Sequence, residues 1–238
     1  MKTKRKTGRR IPPASAGAGR KRWRLLLVDD HPMTREGLSA VIDREADMQV
    51  CAAVGSPAEG MAAVERAKPD LMITDLTMPG RSGTEFIKDI HAMAPGMPIL
   101  VLSMHDEMIF AERVLRAGAR GYVMKDAGSA RMLEAIRHVL GGRVYLSADA
   151  SSRLLDNMAG RQSVSADSLM EALSDREFEI FRLLGSGKST KEVASALGIS
   201  EKTVAAHRAN IKVKLGLPDG NGLIHYAVRW VESESSRA

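Results

Sequence analysis

Between Leu25 and Leu140, short apolar runs alternate with longer amphipathic stretches. The runs are Leu25–Val28, Met48–Val54, Leu71–Thr74, Ile99–Leu102 and Gly121–Met124, and segments such as Thr34–Arg44 and Met108–Ala117 lie between them. A strand that is apolar along its whole length has no face to offer water, so it belongs in a parallel sheet covered on both sides. Five such strands alternating with five helices over about 120 residues predict a doubly wound, flavodoxin-like parallel sheet.

The pattern changes after Gly141. Residues 142–170 mix polar, small and a few apolar residues, and read as a linker with one helical stretch near Ala150–Met158. From Leu173 onward the periodicity is helical throughout. Ser174-Asp175-Arg176-Glu177 is a capping box ahead of Ile180, Leu183 and Leu184, and Ser189-Thr190-Lys191-Glu192 is a second one ahead of Val193, Ala194 and Leu197. Gly198 supplies a tight turn, and Ser200 can cap a third helix carrying Val204, Ile211 and Leu215. Two short helices joined by a glycine turn match helix-turn-helix. Leu223, Ala227, Trp230 and Val231 have the spacing of a fourth helix. The expected organisation is a tail at 1–24, an α/β domain at 25–141, the linker at 142–170 and an all-α domain at 171–238.

Length and charge refine this picture. The chain has 238 residues, enough for two cores. Its net charge of +6 is uneven, because residues 1–24 carry ten basic side chains and no acid, which leaves −4 for the remainder. That basic, Pro/Gly/Ala-rich tail cannot bury enough apolar surface to order itself, and it reads as a solvated leader or an arm for nucleic-acid phosphates. It lacks the apolar stretch of a secretory signal, and no run approaches a membrane span. The single cysteine, Cys51, excludes an intramolecular disulfide and suits a reducing cytoplasm. Residues 171–238 hold 10 basic and 9 acidic side chains, so composition alone does not argue for nucleic-acid binding there.

In doubly wound sheets, sites form beyond the carboxyl ends of the strands. Asp29, Asp30, Asp75, Ser103 and Lys125 all fall there. Three carboxylates in one crevice raise one another's pKa, and a divalent cation relieves the repulsion. Hard oxygen ligands favour Mg²⁺. Carboxylate, metal, ammonium and hydroxyl together fit phosphoryl transfer, where catalysis is mostly positioning and charge neutralisation. Singly, each residue has a plainer reading. Lys125 could be a surface lysine and Tyr122 could pack on the sheet edge, while His31, preceding Pro32 at a helix start, reads as structural.

Residues 25–140 resemble the receiver domains of response regulators through Asp29-Asp30-His31-Pro32, Asp75-Leu76-Thr77-Met78-Pro79-Gly80, Ser103 and Gly121-Tyr122-Val123-Met124-Lys125-Asp126. The resemblance implies that Asp75 accepts a phosphoryl group from a sensor histidine kinase. It implies Mg²⁺ ligation by Asp30, Asp75 and the backbone carbonyl of Thr77, with Asp29 in the acidic pocket. Lys125 would pair with the phosphoryl oxygens, Ser103 would swing to hydrogen-bond them, and Tyr122 would turn inward.

Residues 173–217 resemble the DNA-binding domain of the NarL/FixJ (LuxR-type) regulators through Leu173–Glu177, Gly187–Ala194 and Ile199–Val204 to Leu217. The implied recognition helix runs from about Glu201 to Leu215, with Lys202, Arg208, Lys212 and Lys214 set against Glu201. The resemblance places Lys202, Thr203, Ala205, Ala206, Arg208, Ala209 and Lys212 at double-stranded DNA, with alanines where the groove-reading positions fall. It implies a cytoplasmic transcription regulator that dimerises on phosphorylation and works with RNA polymerase. A hydrolase using Asp75 as nucleophile would need a second carboxylate as acid/base, and Thr77 occupies the place two residues on. The expected protein is therefore a phosphoacceptor with at most weak autophosphorylation and autodephosphorylation.

Overall fold

The computed structural model describes residues 22–79, 81–159, 170 and 172–235. In chain order the elements are β1 Trp23–Val28, α1 Pro32–Asp43, β2 Met48–Val54, α2 Pro57–Ala67, β3 Leu71–Thr74, β4 Thr77–Met78, β5 Arg81–Ser82, α3 Gly83–Met93, β6 Ile99–Ser103, α4 Glu107–Ala117, β7 Gly121–Met124, α5 Ser129–Leu140 and α6 Ala148–Met158. Four helices follow: α7 Asp175–Gly185, α8 Thr190–Leu197, α9 Glu201–Leu215 and α10 Gly220–Ser235. The five long strands form one parallel sheet in the order β2-β1-β3-β6-β7, and β4 and β5 make a separate two-residue hairpin.

The alternation of side chains along each strand divides the core between two faces. Leu25, Leu27, Leu71, Ile73, Leu100 and Leu102 point to one face, where Ile42 of α1 and Met132, Ile136 and Val139 of α5 cover them. Leu26, Val28, Met72, Ile99 and Val101 point to the other, against Val64 of α2, Phe86 and Ile90 of α3, and Phe110 and Val114 of α4. The doubly wound expectation is met. β1 begins at Trp23, two residues before the apolar run, so Trp23 and Arg24 belong to the sheet and not to the tail. Arg22 lies beside it and hydrogen-bonds the carbonyls of Met48 and Glu45. The rest of the expected tail lies outside the described residues, as does much of the second half of the expected linker.

Both capping boxes form. Ser174 and Glu177 close α7, and Ser189 and Glu192 close α8. Gly198 takes φ 62°, ends α8 and turns the chain into α9, whose N-cap is Ser200. Gly185 is required by packing: a Cβ there would lie 2.5 Å from the carbonyl oxygen of Ala227 in α10. The helical domain buries Phe178, Phe181, Val193, Val204, Ile211, Leu223 and Trp230. This core joins that of the sheet domain where Phe178 meets Phe110 edge to face, with ring centroids 5.5 Å apart. No helix among the described residues is long and apolar enough to cross a membrane.

Candidate functional site

Val28 and Thr74 are partners at the ends of adjacent strands, so the residues that follow them, Asp29 and Asp75, meet. β6 ends one strand further on at Ser103, paired with Met124 of β7, and Lys125 follows. Strand order thus sets Asp29, Asp75, Ser103 and Lys125 side by side. Asp29 and Asp75 are buried, and the Lys125 ammonium bridges their carboxylates at 2.7 Å each. The backbone N–H groups of Leu76 and Thr77 donate to Asp75 Oδ1 at 2.6 and 3.3 Å. Burial pushes the Asp75 carboxyl above its ordinary range; the bond from Lys125 opposes this and the Asp29 charge adds to it. For Lys125, burial alone would favour the neutral amine, but its bonds to Asp29 and Asp75 prevail and raise its pKa.

Ligand atoms of Asp29, Asp30, His31 and Asp75 all lie within 4.8 Å of one another. Asp30 Oδ1 is shielded from solvent without a hydrogen-bond partner and meets His31 Nδ1 only as an ion-pair contact at 2.8 Å. An unsatisfied carboxylate oxygen among other carboxylates is the environment a divalent cation completes, and the oxygens of the three aspartates, without the His31 nitrogen, suit Mg²⁺. His31, at the start of α1, also helps to fix the site, since its backbone N–H donates to Asp29 Oδ1 at 2.8 Å. Thr77 opens the β4–β5 hairpin beside Asp75.

Ser103 is buried, and its Oγ accepts the backbone N–H of His105 at 3.3 Å. Tyr122 is fully buried, and its hydroxyl donates to the His105 carbonyl at 2.7 Å. The Tyr122 ring thus lies inward in this structure. Burial, foremost, raises the pKa of its hydroxyl well above the ordinary tyrosine value.

His105 was not among the residues expected at the site. Its ring stacks on Phe110 with centroids 5.1 Å apart, Nε2 lies 2.6 Å from Thr77 Oγ1, and Nδ1 lies 3.0 Å from Arg182 Nη1 of α7. Burial, then the charges of Arg182 and Lys125, lower its pKa to about 4. The contact between the domains widens around this residue. Asp175 pairs with Lys88 at 2.8 Å and Arg113 at 3.2 Å, while Arg113 also caps the carbonyl of Met170 at 2.6 Å and lies 4.2 Å over the Phe178 ring. None of this was legible in the sequence, because the partners are about 60 to 90 residues apart and follow no periodicity.

On α9, Lys202, Thr203, Ala205, Ala206, Ala209 and Asn210 are exposed, and Arg208 and Lys212 are half-buried. Val204, Ile211 and Leu215 anchor the opposite face. Arg208 donates to Thr190 Oγ1 at 2.6 Å, so it braces α9 against the start of α8 as well as lying beside the exposed face. Lys214, itself exposed, is turned back toward the domain: its ammonium meets the buried carboxylate of Glu177 at 2.6 Å. The exposed face also holds Val213, which is 82% exposed and was not expected there.

Comparison with known proteins agrees with both halves. Residues 25–137 match the response regulator receiver domain, and residues 171–227 match the luxR family of bacterial regulatory proteins. The chain is 34% identical over 210 residues to the oxygen regulatory protein NreC of Staphylococcus haemolyticus, covering 87% of this chain and 97% of that one. A LuxR-family two-component response regulator of known structure from Aurantimonas sp. is 33% identical, with a TM-score of 0.54 over 58% of this chain and 99% of its own. RcsB from Salmonella enterica serovar Typhimurium, solved on the rprA promoter with the phosphomimetic BeF3-, shares the fold, with a TM-score of 0.61 at 24% identity over 87% of this chain and 99% of its own.

Proposed function

Because this chain belongs to the two-component response regulators that carry a LuxR-type DNA-binding domain, we propose that phosphorylation of Asp75 is the event that switches it. The protein is a transcription regulator. The observation that carries the assignment is the convergence at three strand ends of Asp29, Asp75 and Lys125, next to the unsatisfied Asp30 oxygen.

The chemistry follows from that arrangement. The Asp75 carboxylate attacks the phosphorus of a phosphohistidine on a sensor kinase; the O–P bond forms, the N–P bond breaks, and the imidazole leaves with its electron pair. Lys125 neutralises charge where the phosphoryl oxygens arrive, and the Ser103 hydroxyl offers them a hydrogen bond. Asp30, Asp75 and the Thr77 carbonyl would hold Mg²⁺, whose contribution is to screen the repulsion between carboxylate and phosphoryl. Hydrolysis of the acyl phosphate is slow, since Thr77 lies where a second carboxylate would be needed to activate water.

The output surface is α9. Lys202, Thr203, Arg208 and Lys212 border it with charge and hydroxyls suited to phosphates, while Ala205, Ala206, Ala209 and Val213 present only methyl groups. Phosphate contacts position a protein; base-edge contacts specify sequence. Apolar groups can read the thymine methyl but not the hydrogen-bonding edges, so the site is degenerate and A/T-leaning, with spacing and DNA shape adding specificity. The functional form on paired half-sites is a phosphorylated homodimer in the cytoplasm, acting on RNA polymerase.

The direct test is labelling by a histidine kinase or acetyl phosphate with Mg²⁺. Wild type takes one phosphoryl group, and Asp75→Asn, nearly isosteric, takes none while keeping its circular dichroism spectrum. Label persisting in Asp75→Asn removes the assignment.

A further inference from the structure

His105 stands between the site and the DNA-binding domain, stacked on Phe110, and its hydrogen bonds reach both. Its backbone N–H is held by Ser103 Oγ at 3.3 Å and its carbonyl by the Tyr122 hydroxyl at 2.7 Å. Its ring joins Thr77 Oγ1 at 2.6 Å to Arg182 Nη1 at 3.0 Å. A guanidinium can only donate. Nδ1 must therefore accept, which leaves the ring proton on Nε2, donated to Thr77 Oγ1. The chain of bonds is continuous and polar in one sense: Arg182 to His105, His105 to Thr77, and the Thr77 N–H to Asp75 Oδ1 at 3.3 Å. Arg182 is further steadied by lying over the Phe110 ring, with its Cζ 5.1 Å from the centroid.

We infer that His105 is a latch coupling the state of Asp75 to the docking of the DNA-binding domain: its bonds to Thr77 and Arg182 hold the domains together while Asp75 is free, and a phosphoryl group there releases them. This rests on Asp75 being the phosphoacceptor. Two of the three receiver groups that hydrogen-bond His105 are ones that an occupied site claims. Ser103 is the hydroxyl next to the phosphoryl position, and Thr77 is the residue whose backbone flanks Asp75. Drawing either one inward withdraws a support from His105 and misaligns its ring toward Arg182. The interface is suited to release, because a cavity of about 160 Å³ remains between the β4–β5 hairpin, His105, Phe110 and Leu183. Atoms lining a void forgo dispersion contacts, so on this side of the interface, away from the Phe110–Phe178 contact, packing is incomplete and the directed bonds of His105 count for more.

Linkage makes this testable from the far side. If occupying Asp75 opens the latch, opening the latch by mutation must favour occupancy by the same factor. The probe is beryllofluoride with Mg²⁺, a phosphoryl mimic, titrated into the full chain and followed by ¹⁹F NMR. Arg182→Gln removes a cation, and simple electrostatics then predicts weaker binding of the anion. The latch predicts the opposite: affinity rises about fivefold or more, within the usual range of allosteric coupling, and the radius of gyration of the unliganded chain increases in X-ray scattering. His105→Phe keeps a ring to stack on Phe110 and removes both ring bonds. In that background Arg182→Gln adds nothing further, to within about twofold.

Unchanged or weaker beryllofluoride binding by Arg182→Gln overturns the latch. So does an undiminished effect of Arg182→Gln in the His105→Phe background, which would route the coupling elsewhere. Failure of wild type itself to bind beryllofluoride would instead overturn the phosphoacceptor assignment on which the latch depends.

Discussion

At the residue scale, Asp75 carries an energetic cost that its chemistry requires. Burial disfavours its ionised form more than Lys125 favours it, so its folded pKa lies above the ordinary value. A raised acid pKa means that ionised Asp75 opposes folding at pH above the folded pKa, and that the penalty vanishes as pH falls below the unfolded value. Without metal, Asp75→Asn should therefore melt at a higher temperature than wild type near neutral pH, with the gap closing toward pH 3. Adding Mg²⁺ should stabilise wild type and leave Asp75→Asn nearly unmoved. Calorimetry at several pH values checks this, and a lower melting temperature for Asp75→Asn at neutral pH would show that the bond to Lys125 outweighs burial. Asp175 has the opposite sign. Burial would raise its pKa, but Lys88 and Arg113 prevail and lower it, so its contribution to docking is present above the ordinary carboxylate value and is lost as pH falls through the lowered folded pKa.

At the element scale, much was legible because strands and caps are local. Asp29, Asp75, Ser103 and Lys125 could be set together from strand ends alone, since a parallel sheet aligns those ends whatever the helices do. Ser174 and Ser189 announced α7 and α8 by their capping boxes. The partner of Lys214 was not legible, because whether a helix cation meets solvent or a buried Glu177 depends on a neighbouring helix. Val213 went unnoticed because an apolar residue in a helix ordinarily faces the core. The latch was out of reach, as Thr77, His105 and Arg182 come from three separate segments.

Two element-scale expectations follow. Gly185→Ala forces α7 and α10 apart and should cost about 1–3 kcal/mol in urea denaturation. On α9, Lys202→Ala should weaken DNA binding uniformly and reduce the salt slope by about one. Replacing contacted thymines by deoxyuracil removes only methyl groups and should cost about fourfold per buried methyl, from about 0.8 kcal/mol per carbon. Uracil-substituted sites bound as well as thymine sites would show that α9 reads by other means.

At the scale of the whole molecule, the two domains share a core contact at Phe110 and Phe178, yet α9 keeps its reading face exposed. Docking through α7 does not cover the DNA surface. On the proposed latch, control would act through where the domain is held and how two copies are arranged on DNA, which would connect the latch to dimerisation. Light scattering should show a shift toward dimer when beryllofluoride and Mg²⁺ are added. The most direct test of the central assignment is the affinity of the full chain for a selected DNA site, measured by fluorescence anisotropy with and without acetyl phosphate and Mg²⁺, in wild type and Asp75→Asn. Phosphorylation of Asp75 as the switch predicts tighter binding by wild type on treatment and no change in Asp75→Asn; equal tightening in both, or none in wild type, would contradict it.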